Sequence, residues 1–438
     1  MSKRPHPMHG GGHCSTRRWP SWLIVLCVLA VSSACSAEEV TFDEALRLAV
    51  ERAPMLRARQ SQEMAAREES VRAATLPDPT LTLGLSNWPI NGPDAFDLRA
   101  DDMTMQQIGV MQTFPAHAKR HARQSVANRT VELAQAQSSA ERLWVRQSVA
   151  LAWLNQWTAQ REVDALRELR EPTLIAVRTA KARLSGGTES ATNVLAAQAA
   201  ALALESRLDA VEAGFLASSA GLARWLGSGA EDVQVIGNPP NVGVLPIDPN
   251  VMLASVDSQG PLLAWRAREA MADASIDSAI AEKYPDWSLG ATYGRRERMP
   301  TGGQRSDMLM IEISVDLPLF TRNRQDRGVA ARRAEREAVA AEHEDARRAQ
   351  IETVRRMLAE WQGLQRQVAR LETDILPLAR DRSRTALATY AGGSDLQPWL
   401  DARRDELELQ LEYTQRLGEL GRAWAALAFL LSDEETLP

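Results

Sequence analysis

A mainly α chain with a small β part, laid out twice along its length, is what this sequence predicts. The 438 residues are 25% charged and only 5% aromatic, with Ala, Leu, Arg, Glu and Gln dominant, which is the composition of long helices. Landmarks recur in one order at offsets of 203 to 208 residues. Ala53-Pro54-Met55-Leu56 is echoed by Gly260-Pro261-Leu262-Leu263, and Leu76-Pro77-Asp78-Pro79 by Tyr284-Pro285-Asp286-Trp287. Phe114-Pro115 is echoed by Leu317-Pro318, Pro172 by Pro377, Ser185-Gly186-Gly187-Thr188 by Ala391-Gly392-Gly393-Ser394, and Leu226 by Leu431. Self-similarity of this kind marks a duplicated architecture. Four short runs, two per copy, alternate polar and apolar residues as strands with unlike faces do.

The N-terminus reads as an export signal over 1–37. Lys3, Arg4, Arg17 and Arg18 precede an apolar run, Trp22 to Val31, that is followed by Ser32, Ser33 and Ala34. The run is too short to span a bilayer, which takes about 20 residues. No other stretch approaches that length without charges, so no transmembrane helix is expected in the mature chain. Cleavage after Ala34 or Ala37 is favoured. The alternative is a lipobox, Ser32-Ser33-Ala34-Cys35, with Cys35 as a lipid anchor, but Ser32 stands where an aliphatic residue is usual. Arg17-Arg18 fits a twin-arginine signal poorly. His6, His9 and His13 fall in the removed segment.

The first repeat, 38–237, opens with a helix from Phe42 to Leu76, capped by Thr41 with Glu44 three places on. Pro77-Asp78-Pro79 ends it. A strand pair within 79–114 follows, with a polar loop from Asn87 to Asp102 between a run starting at Thr80 and one from Met103 to Phe114. From Pro115 there is no strong breaker before Pro172 and no glycine before Gly186, a helix of roughly 105 Å. A tip turn at 185–188 leads into a helix ending near Trp225. The Pro/Gly-rich stretch 238–250 is the linker. The second repeat, 251–432, has a helix to Lys283, a strand pair within 286–318, a long helix to Tyr390, a tip turn at 391–394 and a last helix to Leu431. A tail, 433–438, closes the chain. Ile351, Val354, Leu358, Trp361, Leu364, Val368, Leu371 and Ile375 step by three or four, making a coiled-coil-like apolar seam.

Runs of this length suit a membrane barrel, whose strands take about 9–11 residues. Four strands cannot close one, because about eight are needed. Three chains would supply twelve strands and twelve long helical elements. Trp88 and Trp287 lie at strand ends, where interfacial aromatics belong; ordinary packing explains them equally well.

Signal, helix, strand pair, long helix, Gly turn and helix, all repeated once, resemble the TolC-like outer-membrane efflux family. The residues carrying the resemblance are Phe42-Asp43-Glu44-Ala45-Leu46 with Ala53-Pro54, Leu76-Pro77-Asp78-Pro79, Gln112-Thr113-Phe114-Pro115 and both Gly turns. In the first turn they are Arg183-Leu184-Ser185-Gly186-Gly187 with Thr192-Asn193-Val194, and in the second Tyr390-Ala391-Gly392-Gly393 with Trp399-Leu400-Asp401-Ala402. No single motif is specific; their order and duplication are. The resemblance implies a homotrimer with an α-helical coiled-coil tunnel crossing the periplasm and a 12-stranded β-barrel in outer-membrane lipid. It implies a periplasmic adaptor (membrane fusion) protein and an inner-membrane RND-type pump as partners, no cofactor and no enzymatic activity. The turns would form the inner tip that meets the adaptor, through Arg183, Gly186, Gly187, Asn193, Tyr390, Gly392 and Gly393. Asp395 and Asp401, repeated by symmetry, are the candidate gate carboxylates. Asn193 occupies the place of an acid in the first tip. Glu189 serves equally as a helix N-terminal carboxylate, and Asp395 as an N-cap.

A formal net charge of −6 and no basic block in the body exclude most nucleic-acid binding. Cys14, Cys27 and Cys35 all precede the body, whose only histidines are His117, His121 and His343. That excludes most cysteine-nucleophile and zinc chemistry. His117 and His121, four apart, make two ligands without a third and read as surface residues. Phosphate loops, dinucleotide fingerprints and nucleophile elbows are missing. Met103, Met105 and Met111 share one face of the second run, and Met308 and Met310 one face of its counterpart. Thioethers suit Cu(I), while methionine is also an apolar filler that can face lipid. The methionine-bearing strands and the Gln112-Thr113-Phe114-Pro115 stretch resemble the heavy-metal branch of the family, giving heavy-metal cation efflux as the expected function. Multidrug efflux or type I secretion is the alternative. A periplasmic coiled-coil adaptor fits less well, since the duplication and the four strands speak against it.

Overall fold

The computed structural model describes residues 38–188, 190–227, 233–391 and 397–431. The mainly α architecture with a small β part and two repeats, expected from the sequence, holds. A short strand, β1 (Glu38–Val40), precedes α1 (Phe42–Arg52) and α2 (Pro54–Ala74). Next come β2 (Thr80–Ser86), β3 (Met105–Phe114), α3 (His117–Ser185) and α4 (Ala191–Leu226). The second repeat follows a short β4 (Val233–Val235) with α5 (Pro249–Ala254), α6 (Trp265–Ala281), β5 (Trp287–Arg295) and β6 (Met308–Val315). It ends with α7 (Gln325–Arg370), α8 (Leu376–Ala391) and α9 (Gln397–Ala428).

Several elements differ from the sequence expectation. The helix expected from Phe42 to Leu76 is two helices. Pro54 has no N–H and crowds the residue before it, so Ala53 leaves the helical region with ψ 115°. Thr41 does cap α1, its Oγ1 accepting from the Glu44 N–H at 3.4 Å. In the second repeat the helix expected to reach Lys283 is broken between α5 and α6 around Gly260-Pro261. The wholly buried Gln259 fills that break, donating to the Met252 carbonyl at 2.8 Å and accepting from Gln350 at 2.7 Å. Met103 lies before β3 rather than in it. The Asp101 carboxylate takes its N–H at 2.7 Å and the Asn87 amide its carbonyl at 3.2 Å, so both backbone groups are spent on the loop.

The 69-residue α3 runs unbroken through Pro172. Its counterpart is interrupted by one π-helical stretch, Leu371–Ile375, which ends two residues before Pro377. A proline clashes with the carbonyl four residues back, and a widened turn is one way to relieve that. Along α7 and into the π-helical stretch, Val354, Leu358, Trp361, Val368 and Leu371 of the expected seam are buried.

The main core sits at mid-length, where α1, α3, α4, α7 and α9 meet around Phe42, Trp153, Leu222, Trp361 and Trp424. The chain joining the repeats is strapped across it. Trp361 Nε1 donates to the Val242 carbonyl at 2.9 Å and Trp424 Nε1 to that of Val244 at 2.8 Å. Trp153 Nε1 reaches Val40 at 3.1 Å, fixing β1, which pairs in parallel with β4. The Trp361 and Trp424 indole N–H groups are thus satisfied by carbonyls of irregular backbone between the repeats. A smaller cluster, Leu166, Leu169, Leu208, Leu407 and Leu411, lies further along α3.

Candidate functional site

The four longer strands form one antiparallel sheet in the order β2-β3-β5-β6, so the two repeats meet at β3–β5. All four helical connections leave one end of this sheet, and the loops 87–104 and 296–307 occupy the other. Directly paired residues share a face. One face carries Leu81, Val110, Ala291 and Ile311 in one rung, and Leu83, Ile108, Tyr293 and Leu309 in the next. The other carries Thr82, Gly109, Thr292 and Met310, then Gly84, Gln107, Gly294 and Met308.

The apolar face is bare: Leu309, Ile311 and Ile313 are 71%, 68% and 70% exposed. An apolar surface of this kind does not stay in water; it marks a partner or a membrane. Phe114 and Trp287 stack at 4.2 Å at the helical end, and Trp88 meets Phe96 edge-on at 5.6 Å at the loop end. Aromatics thus lie at both ends of the apolar band, the arrangement that membrane barrels also have. No helix among the described residues is long and apolar enough to cross a membrane. Strands β2 and β6 are sheet edges with no further strand partner among the described residues.

The two loops are clasped together. Arg305, its side chain 4% exposed, donates to the carbonyls of Arg99 at 2.9 Å and Asp101 at 3.2 Å and pairs with Asp102 at 2.5 Å. Arg296 reaches the Asp102 carbonyl at 3.3 Å, and Tyr293 hydrogen-bonds Asp307. At the opposite end a charge cluster joins sheet to tunnel. Asp286 accepts from Lys119 Nζ at 2.9 Å and the Ala116 N–H at 2.8 Å, and Glu282 pairs with Lys119 at 3.6 Å and Arg123 at 3.4 Å. Burial pushes the Asp286 carboxyl up. The Lys119 hydrogen bond, the Ala116 N–H and the charges of Lys119 and Arg123 outweigh it and hold the group below the ordinary aspartate range. The sequence reading missed this cluster. Its signal was Asp286 directly after a repeat landmark proline, with a lysine at the start of the facing helix.

The first tip turn is built on two glycines. Gly186 stays helical, and Gly187 adopts φ +73°, which an L side chain rarely tolerates. The Gly187 N–H reaches Leu184 at 3.1 Å and the Thr188 N–H reaches the Arg183 carbonyl at 2.9 Å, closing a Schellman-like end. Ser190 then caps α4, accepting from the Asn193 N–H at 3.2 Å. In the second tip Gly392, Gly393 and Asp395, like Glu189 in the first, lie outside the described residues, as does the Tyr390 side chain. Asp401 sits in the first turns of α9 and accepts from Gln397 Nε2 at 3.1 Å. Asn193 and Asp401, from different repeats, line one cavity of about 380 Å³ with Pro172, Ala176, Leu400 and Arg404. The structure therefore brings the described parts of both tips to one end, far from the sheet.

His117 and His121 stack at 6.3 Å, and no group of three or more His, Cys, Asp or Glu able to hold a metal occurs among the described residues. Of the methionine candidates, Met103 lies in the loop, while Met105, Met308 and Met310 point to the polar face of the sheet together with Met111. Cys35 lies outside the described residues.

Comparison with known proteins agrees with this architecture. The family described as outer membrane efflux protein matches residues 45–228 and 258–432, one segment per repeat. The chain belongs to that family and is an outer-membrane efflux channel protein, not an enzyme. A search of curated proteins gives no match. Solved structures share the fold. A membrane protein from Pseudomonas aeruginosa superposes with a TM-score of 0.71 at 17% identity, covering 89% of this chain and 93% of that one. CusC, described through its transmembrane channel formation, gives 0.71 at 14% identity, covering 89% and 92%. The outer membrane protein VceC from Vibrio cholerae gives 0.64 at 19% identity, covering 88% and 96%.

Proposed function

We propose that three copies of this chain form the outer-membrane duct of a tripartite efflux system, a passive path for heavy-metal cations across periplasm and outer membrane. The observation that carries the reading is the open, two-faced sheet. Its edges have no strand partner among the described residues, one face suits lipid and the other suits water, and all four helical connections leave one end. Three such sheets joined β6 to β2 give a barrel of twelve strands, and α3 extends about 105 Å below it. The helical part then crosses the periplasm. The tip turns at Arg183, Gly186, Gly187, Asn193, Tyr390, Gly392 and Gly393 meet the adaptor, and an RND-type pump supplies the energy this chain has no means to supply. Asp401 and Asp395 form the cation-favouring ring at the tip. In planar bilayers the purified protein should conduct, and Asp395→Asn with Asp401→Asn should weaken block by divalent cations. Unchanged block removes the ring assignment.

Heavy-metal cargo is supported by the methionine-bearing strands. Deleting the gene should lower the inhibitory concentrations of metal salts, with rescue by a plasmid copy. Sensitivity to dyes, detergents and antibiotics with unchanged metal tolerance would make the channel a multidrug duct instead.

A further inference from the structure

We propose that the water-facing side of the sheet carries a track of methionine thioethers that holds soft monovalent cations, Cu(I) or Ag(I), in transit. The proposal rests on the channel reading and specifies its cargo.

Six of the thirteen methionines, Met103, Met105, Met111, Met299, Met308 and Met310, fall in the strands and their loops. The four within strands are sorted by face. The apolar face holds Leu, Ile, Val, Ala and aromatic residues, with Gln106, Gln112 and Arg295 toward its ends, and no methionine. The polar face holds Thr, Ser, Gly, Gln and Glu312, and methionine is its only large apolar residue. A filler role predicts the opposite sorting, because an unbranched apolar side chain gains nothing by facing water.

Bare backbone lies between the methionines. In one rung Gly290 is flanked by Met111 on β3 and Glu312 on β6. Further up, Gly294 is the direct partner of Met308, and a Cβ placed on it would lie only 3.0 Å from Met105 Sδ. Met105 therefore leans across β5 toward Met308 over a position that has no side chain. Met310 follows two residues on from Met308, on the same face. A carboxylate and a thioether thus flank one glycine, and two thioethers flank the next.

The chemistry separates cargo classes. A thioether is neutral, soft and never protonated near neutral pH, so it prefers Cu(I) and Ag(I) to hydrated Zn(II). Glu312 adds the general attraction for cations. Sparse neutral ligands repeated along a wall bind weakly and at several places, which is what passage rather than storage requires.

The test uses the full mature protein in planar bilayers in potassium nitrate, with silver nitrate as the probe. Silver should interrupt the wild-type current. The combined variant Met105→Leu, Met308→Leu, Met310→Leu, which conserves bulk, should need about tenfold more silver for the same effect, with zinc unchanged. A conducting variant with the wild-type silver response overturns the proposal. Should the variant fail to assemble, a second measurement needs only the wild type. Silver should protect Met105, Met308 and Met310 from oxidation to sulfoxide in peptide mapping, and equal oxidation with and without silver overturns the proposal. A wild-type protein that never conducts removes the channel reading itself.

Discussion

Asp286 and Lys119 hold the sheet to the tunnel. Lys119 is buried, with only 8% of its side chain exposed, and its nearest carboxylates are Asp286 and Glu282. Removing one partner leaves the other desolvated and underpaired. Asp286→Asn should therefore lower stability by about 1–3 kcal/mol, read as a lower thermal midpoint of the detergent-solubilised protein. The pH dependence has a definite sign. A carboxyl held below its ordinary 3.8 stabilises the fold fully above that value and loses this contribution as pH falls below it. The variant should show a shallower decline than wild type below about pH 4. An equal slope in both would remove Asp286 as the source.

At the scale of elements, the close approach of α9 to α3 depends on Gly418. A Cβ there would fall inside contact distance of Thr158 Oγ1 and Cγ2, and Thr158 is buried with its hydroxyl bonded to the Leu154 carbonyl at 2.8 Å. One turn on, a Cβ at Gly421 would meet Leu154 Cδ2 at 3.1 Å. Gly418→Ala should destabilise by about 1–3 kcal/mol, despite alanine's better helix propensity. Thr158→Ala in the Gly418→Ala background should restore most of the loss. Additive losses in the double variant would mean that the two residues do not compete for space.

At the scale of the whole molecule, the assignment of sheet faces has an asymmetric consequence. Ile311→Lys puts a charge on the apolar face and should cost about 2–4 kcal/mol near the bilayer midplane, seen as loss of folded protein from the outer-membrane fraction. Thr292→Lys lies in the adjacent rung on the polar face. It should leave recovery unchanged and lower cation conductance. Equal loss in both variants would contradict the two-faced sheet.

Some of this architecture is local, and the sequence by itself determined it. Prolines, glycine pairs and period-two runs are read from neighbours in the chain, and their recurrence at one offset established the duplication, the element order and the position of the first tip turn. Alternation within β3 and β6 already separates methionine from leucine and isoleucine. Tertiary structure decided what depends on register and crossing. Only the β3–β5 pairing joins the two repeats into one sheet, so only there do Met105 and Met308 come to flank Gly294. The Lys119–Asp286 pair spans 167 positions, and the tryptophan N–H groups that strap the inter-repeat chain reach across 119 and 180. Contacts at such separations leave no periodic trace in a sequence, because each is fixed by packing of elements whose own patterns are already satisfied locally.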